Sequence, residues 1–210
     1  MFRSLRAPAT RTAVAALFAA LLLAAACRPS RLQIIPVPPE VRSVEGYGTV
    51  KIVRAGESGR SRFSFILETG RRGKVEVLDA LNRAAAEIYL APTEAVLVLR
   101  GEKVYWKAVP EDVIEKFLGV RLGFDEVAEL LRGRPPLATA GLDLEVRETF
   151  PGGSAPRRIE FTGVTTSGTI TILALSFNAP APETVFALDF LAAFGSRTWD
   201  EIERILRRED

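Results

Sequence analysis

Short alternating runs dominate the chain from Tyr47 onward. Tyr47–Val53 sets Val50 and Ile52 on one face. Phe63, Phe65 and Leu67 alternate with Arg62, Ser64, Ile66 and Glu68, and Val75 and Val77 with Lys74 and Glu76. A period of two predicts half-buried strands. Ile88–Leu90, Ala95–Leu99 and Val104–Trp106 follow at short spacing, with hairpin loops at Gly56–Gly59, Gly70–Gly73 and Arg100–Glu102. The period then lengthens. Pro110 opens a helix with Glu111 and Asp112 in its first turn, an apolar stripe of Val113, Ile114, Phe117 and Leu118, and Gly119 to close it. Phe124, Val127, Leu130 and Leu131 form a second stripe, ended by Gly133 and Pro135-Pro136. Strands resume at Leu142–Phe150, Arg158–Phe161 and Thr169–Phe177. After a proline-rich break at Ala179–Pro182, Val185–Phe190 reads as a last strand or a buried apolar strap. Residues 199–208 read as an amphipathic helix carrying Trp199, Ile202, Ile205 and Leu206. The expected fold class is α+β. Neither helical stripe can be buried by its own helix, so both pack on the concave face of an antiparallel meander that curls into a sandwich or barrel.

The first residues follow a different rule. Arg3, Arg6 and Arg11 precede an apolar run from Ala13 to Ala26, with no acidic residue among them, and the chain's one cysteine, Cys27, follows directly. Basic start, short apolar middle and small residues at the cut describe an export signal over residues 1–26. The run is shorter than the ~20 residues a spanning helix needs. A cysteine directly after Ala24-Ala25-Ala26 resembles a bacterial lipobox, which implies cleavage before Cys27 and a lipid such as palmitate on its thiol. Ala24 stands where that motif usually has Leu. Residues 28–40 carry Pro29, Pro36, Pro38 and Pro39 and are expected to be a flexible tether.

Charge and chemistry then narrow the function. The whole chain carries +2; losing Arg3, Arg6 and Arg11 with the leader takes that down by three, to −1. A nearly neutral domain has no electrostatic draw toward nucleic acid. There is no histidine, and with Cys27 lipidated no thiolate remains, so the commonest general base, nucleophile and metal ligands are missing. The pairs Glu111-Asp112, Asp125-Glu126 and Asp200-Glu201 stand at helix starts, where they offset the helix dipole. Glu68 and Glu87 are expected to be exposed strand charges. No catalytic residue, metal site or cofactor is expected.

The order of elements over roughly 41–178 resembles the LolB-type outer-membrane lipoproteins and the wider LolA/LolB-like group. The resemblance is densest from Arg62 to Gly133, and Phe150-Pro151-Gly152-Gly153 with Pro156-Arg157-Arg158-Ile159 looks like that group's turn and return strand. It implies a strongly bent, open (unclosed) antiparallel β-barrel wrapped around helices, with an apolar cavity for acyl chains. Phe63, Phe65, Val75, Val77, Val96 and Val98 from the sheet, with Phe117 and Leu130 from the helices, are the expected lining. A dry, packed core fits the same residues. The resemblance also assigns a membrane-transfer role to an exposed leucine after the third strand, here Leu81 in Asp79-Ala80-Leu81-Asn82-Arg83. Ala80 and Asn82 stand where the group typically has Pro and Gly. A leucine reaching the bilayer and a buried strand-end leucine both fit this loop.

Four segments follow: 1–26 export signal, 27–40 tether, 41–178 half-barrel and 179–210 an extension that the usual receptor lacks. The expected protein is monomeric and not an enzyme. It is lipid-anchored at the periplasmic face of the outer membrane and receives or inserts lipoproteins there. Its partners would be acyl chains of lipoproteins or lipids and a periplasmic lipoprotein carrier. The alternative is an envelope-assembly scaffold of the same fold that binds proteins instead.

Overall fold

The computed structural model describes residues 34–134 and 142–207. Export signal, Cys27 and Pro29 lie outside these residues. The strands are β1 Ser43–Arg54, β2 Glu57–Glu68, β3 Arg72–Leu78, β4 Ala84–Leu90, β5 Ala95–Leu99 and β6 Val104–Ala108, then β7 Asp143–Thr149, β8 Pro156–Thr162, β9 Thr166–Phe177 and β10 Gly195–Ser196. The helices are α1 Pro110–Leu118, α2 Phe124–Leu131 and α3 Trp199–Leu206.

All ten strands form one sheet in the order β10-β6-β5-β4-β3-β2-β1-β9-β8-β7. Neighbours are antiparallel except β10, which runs parallel to β6. β7 and β10 are the two edges, so the sheet is an unclosed barrel. Two meanders build it: β1–β6 in sequence, then β7–β9 returning to lay β9 beside β1 over Val44–Arg54. The register defines two ends. The β1–β2 hairpin, the β3–β4 loop and the β8–β9 turn share one, hereafter the hairpin end; the β2–β3 and β7–β8 turns share the other.

α1 and α2 pack across one face. Pro110 begins α1 at its first position, and Gly119 ends it at φ 71°, donating its N–H to Glu115 O at 2.8 Å. Gly123 caps α2 without a side chain of its own; its N–H donates to Glu126 Oε2 at 2.7 Å. Gly119 lies against Thr166 at the hairpin end, and Gly133, just beyond α2, against Ser154 at the other. The helices therefore run in opposite senses along the interior.

Two expectations change, and one open choice is decided. The first hairpin loop is only Ala55-Gly56, both left-handed at φ 50° and 85°; this type I′ geometry matches strand twist, so β2 already begins at Glu57. Residues 34–40 are not free tether. Ile35 is buried, its N–H donates to Pro151 O at 3.1 Å, and Val37 packs with it on the core. Prolines remove donors here but leave two apolar side chains that the β7–β8 turn buries. Val185–Phe190 is a strap of two 3-10 turns, Glu183–Phe186 and Asp189–Ala193, rather than a strand.

β1 bends where Gly46 and Gly48 flank a bulge at Tyr47. A Cβ at Gly46 would run into the Ala174 carbonyl and come within 3.0 Å of the Phe65 ring; at Gly48 it would meet the Thr171 carbonyl and the Phe63 ring at 3.1 Å. The two phenylalanine rings, 6.0 Å apart, lie over the two glycines. Gly48→Ala should therefore cost about 1–3 kcal/mol, read as a lower urea midpoint with the native far-UV spectrum kept.

Candidate ligand-binding interior

Register decides which side chains meet. One row of partners crosses the sheet: Leu175, Gly46, Phe65, Val75, Ile88, Leu97 and Trp106. A second row beside it holds Ile172, Gly48, Phe63, Val77 and Ala86. Both rows face the helices. Val127 of α2 stands at the centre, packed against the groups around Leu97, around Phe65 and around Phe161.

Apolar packing and burial do not coincide at this centre. Phe63, Val75, Val77 and Val127 each pack against the core, yet none is fully buried. Leu97, Val113 and Ile172 around them are fully buried. These four partly buried side chains belong to α2 and to the middle of β2 and β3. No charged side chain belongs to these two rows. The four partly accessible side chains are thus uncharged and apolar.

Of the expected lining, Phe63, Phe65, Val75 and Val77 share this face, Leu130 packs with Phe65, and Phe117 packs with the Leu97 group. Val96 and Val98 do not join them. They pair with Tyr89, Lys107, Glu87 and Tyr105 on the opposite, outer face. There they pack under Leu188, Phe190, Leu191 and Phe194 of the strap. All five residues of Ala95–Leu99 are buried. With both faces covered, a strand shows no alternation from which to choose the inward set. Val127 belongs in the site by position; the α2 stripe was the signal for it.

Glu87 is 4% exposed, not a surface charge. On the outer face its carboxylate accepts from Lys74 Nζ at 3.0 Å, Arg100 Nε at 2.5 Å and Tyr89 Oη at 3.2 Å. Burial alone pulls the Lys74 ammonium down, but the hydrogen bonds it donates to Glu76 and Glu87 outweigh it and leave it raised. Burial pushes Glu76 up; Lys74 and Ser64 together outweigh that and hold it lowered. Both oxygens of Glu87 are taken by cations, so the cluster is a structural tie, not an acid–base pair.

Leu81 is 71% exposed. Its loop is built around Asp79, whose Oδ1 accepts the N–H groups of Leu81 at 2.8 Å and Arg83 at 2.9 Å. Asn82 takes a left-handed φ of 61°, and Arg62 donates to the Asp79 and Ala80 carbonyls. These bonds stiffen the turn without the Pro and Gly of the resembled group. The carboxylate of Asp79 is held below its usual range, first by the Arg83 backbone N–H.

A separate open pocket of about 530 Å³ lies at the other end of the sheet, beside Arg42, Thr69, Arg71 and Asn178. Its walls are polar and its charges are paired internally, Arg42 with Glu40 and Arg71 with Glu68. Among the described residues no group of three or more acidic, His or Cys side chains is placed to hold a metal. No helix among them is long and apolar enough to cross a membrane.

No protein-family model matches the sequence, and neither does any curated protein. Solved structures similar to the chain include a LolA superfamily protein from Nitrosomonas europaea, with TM-score 0.45 and 9% identity over 74% of this chain and 94% of that one. A DUF1329 family protein from Desulfovibrio piger has TM-score 0.45 and 7% identity over 73% and 92%. A putative outer membrane lipoprotein-sorting protein domain from Vibrio parahaemolyticus has TM-score 0.43 and 11% identity over 71% and 91%.

Phe65→Asp should lower stability by several kcal/mol, because an unpaired charge would face the uncharged interior; the check is a melting curve. Glu87→Gln should cost about 1–3 kcal/mol by taking the counter-charge from Arg100 and leaving Lys74 with Glu76 alone. Acid should act in the same direction. The depressed Glu76 contributes fully above the ordinary value of 4.5 and loses that contribution as pH falls through its lowered value. A pH series of melting temperatures should show wild type falling there, and a Glu76→Gln variant falling less.

Proposed function

We propose that this is a lipid-anchored envelope protein that takes acyl chains into the interior between α2 and β2–β3 and receives or inserts lipoproteins at the outer membrane. The observation that carries the reading is the accessible apolar centre: Phe63, Val75, Val77 and Val127 face one another across the helices and the sheet without being fully buried. Covering such accessible apolar surface with an acyl chain is favourable, by ~0.8 kcal/mol per buried methylene.

Two features support the membrane part. Cys27 stands seven positions before Ile34, the first residue of the docked segment. Seven residues span at most ~25 Å, so a lipid on Cys27 would hold the half-barrel close to a bilayer. Leu81 presents an apolar side chain on a stiff polar turn, at the same end of the sheet as Val77 and Ala86. The scaffold alternative drew on an available C-terminal segment; residues 183–206 instead pack on the protein's own sheet and helices.

The test uses the mature chain with Cys27→Ser. It is mixed with an acylated lipoprotein held by its periplasmic carrier, and then with vesicles. Acyl transfer to the protein is expected, and no transfer together with no uptake of a fluorescent fatty acid would sink the reading. Leu81→Glu should leave stability within ~0.5 kcal/mol of wild type, since the side chain is exposed, while slowing delivery to vesicles. A large fall in its melting temperature would show that Leu81 serves packing instead.

A further inference from the structure

The chain after Phe177 divides into two parts that are held very differently. The strap is tied at several points. The Arg72 guanidinium lies 4.1 Å over the Phe186 ring and reaches Glu183 at 2.5 Å. Arg100 lies 4.2 Å over Phe190, which meets Phe194 edge-on at 5.2 Å. β10 then adds to the β6 edge, with Gly195 N–H donating to Lys103 O at 2.9 Å and Arg197 N–H to Tyr105 O at 2.8 Å. Up to Arg197 the segment is part of the sheet.

Beyond Arg197 the chain turns around the β6 edge onto the helix-covered face. α3 caps itself: Glu201 accepts the Thr198 N–H at 2.9 Å. Its remaining side-chain hydrogen bonds, Arg204 to the Asp200 carbonyl and Arg207 to Glu203, also stay within the helix. Among the described residues no side-chain hydrogen bond or ion pair joins α3 to the rest of the molecule. It is held by Ile202, fully buried with Ala86, Leu99, Val104 and Val113; by Trp199, whose ring lies 5.1 Å from Trp106; and by Lys116, 5.3 Å over Trp199. Ile202 packs in one group with Ala86, Leu99 and Val104, which the register places toward the hairpin end of β4, β5 and β6. α3 therefore lies over the hairpin end of these strands. Val77, Ala86 and the Leu81 loop are at this same end.

We propose that α3 is a displaceable gate over the hairpin end of the acyl-binding interior, hinged at Arg197–Thr198 and latched by Ile202 and the Trp106–Trp199 pair. The proposal rests on the acyl-binding reading. Apart from the Lys116–Trp199 cation–π contact, α3 is held by apolar contacts, which an acyl chain can replace at no cost in hydrogen bonds, so the helix and such a ligand compete for the same surface. The strap keeps the released helix beside its opening. An isolated helix of eight residues is marginal in water, so release also loosens it.

The latch carries its own reporter, because Trp106 and Trp199 are the only two tryptophans in the chain. The mature Cys27→Ser chain is titrated with palmitate. Binding is followed by calorimetry and the tryptophan pair by near-ultraviolet circular dichroism, with Trp199→Phe defining the signal of an unpaired Trp106. Palmitate should collapse the pair signal toward that of Trp199→Phe, and Ile202→Ala should speed association by on the order of tenfold. If palmitate binds while the pair signal persists, the gate is overturned and the acyl-binding reading stands. If Ile202→Ala fails to fold, the wild-type titration alone decides. If palmitate binds neither the full chain nor a chain ending at Arg197, the acyl-binding reading falls and the gate with it.

Discussion

Both faces of β5 must be kept from water. Ala95–Leu99 is apolar at every position, and each of its side chains is almost completely buried. A sheet has two sides, so five consecutive apolar residues require two covers. α1, α2 and α3 cover the side of Ala95, Leu97 and Leu99; the strap covers Val96 and Val98. Each buried valine contributes ~1.5–3 kcal/mol only while its cover is in place. The strap after Phe177 is thus required by β5.

The two covers are built from different interactions. Outside, Lys74, Glu76, Glu87 and Arg100 form a buried ionic network, and Arg72 and Arg100 clamp strap aromatics by cation–π contact. Removing Glu87 takes the counter-charge from Arg100 and one of two from Lys74, so this face resists piecemeal change. Inside, contacts between helices and sheet are apolar and non-directional. Apolar contacts can be exchanged for other apolar contacts, whereas the ionic and cation–π contacts outside need their specific partners.

Shape inside the barrel follows from β1. Gly46 and Gly48 let β9 approach closely and leave room for the Phe63 and Phe65 rings to lie across the strand. Flattened against β1, the rings lie on the helix-facing side of the sheet and join its core. Val127, on the facing helix, meets three apolar groups and still retains accessible surface.

Element types and order were legible in the amino-acid sequence because they rest on local rules. The period of two marked β2 and β3, the period of 3.6 with Pro110 and Gly119 marked α1, and the stripe Trp199, Ile202, Ile205 and Leu206 marked α3. Period also placed Phe63, Phe65, Val75 and Val77 on one face, since lysine and glutamate alternate with the valines. Where no polar residue alternates, as in Ala95–Leu99, local pattern carries no parity, and only the partners on either side assign Val96 and Val98 to the outer face. The same holds for Ile35 and Val37, which read as tether until the β7–β8 turn buries them, and for Glu87, whose burial depends on cations from β3 and from the turn after β5. Tertiary structure decided these points because each depends on what another segment brings against the residue.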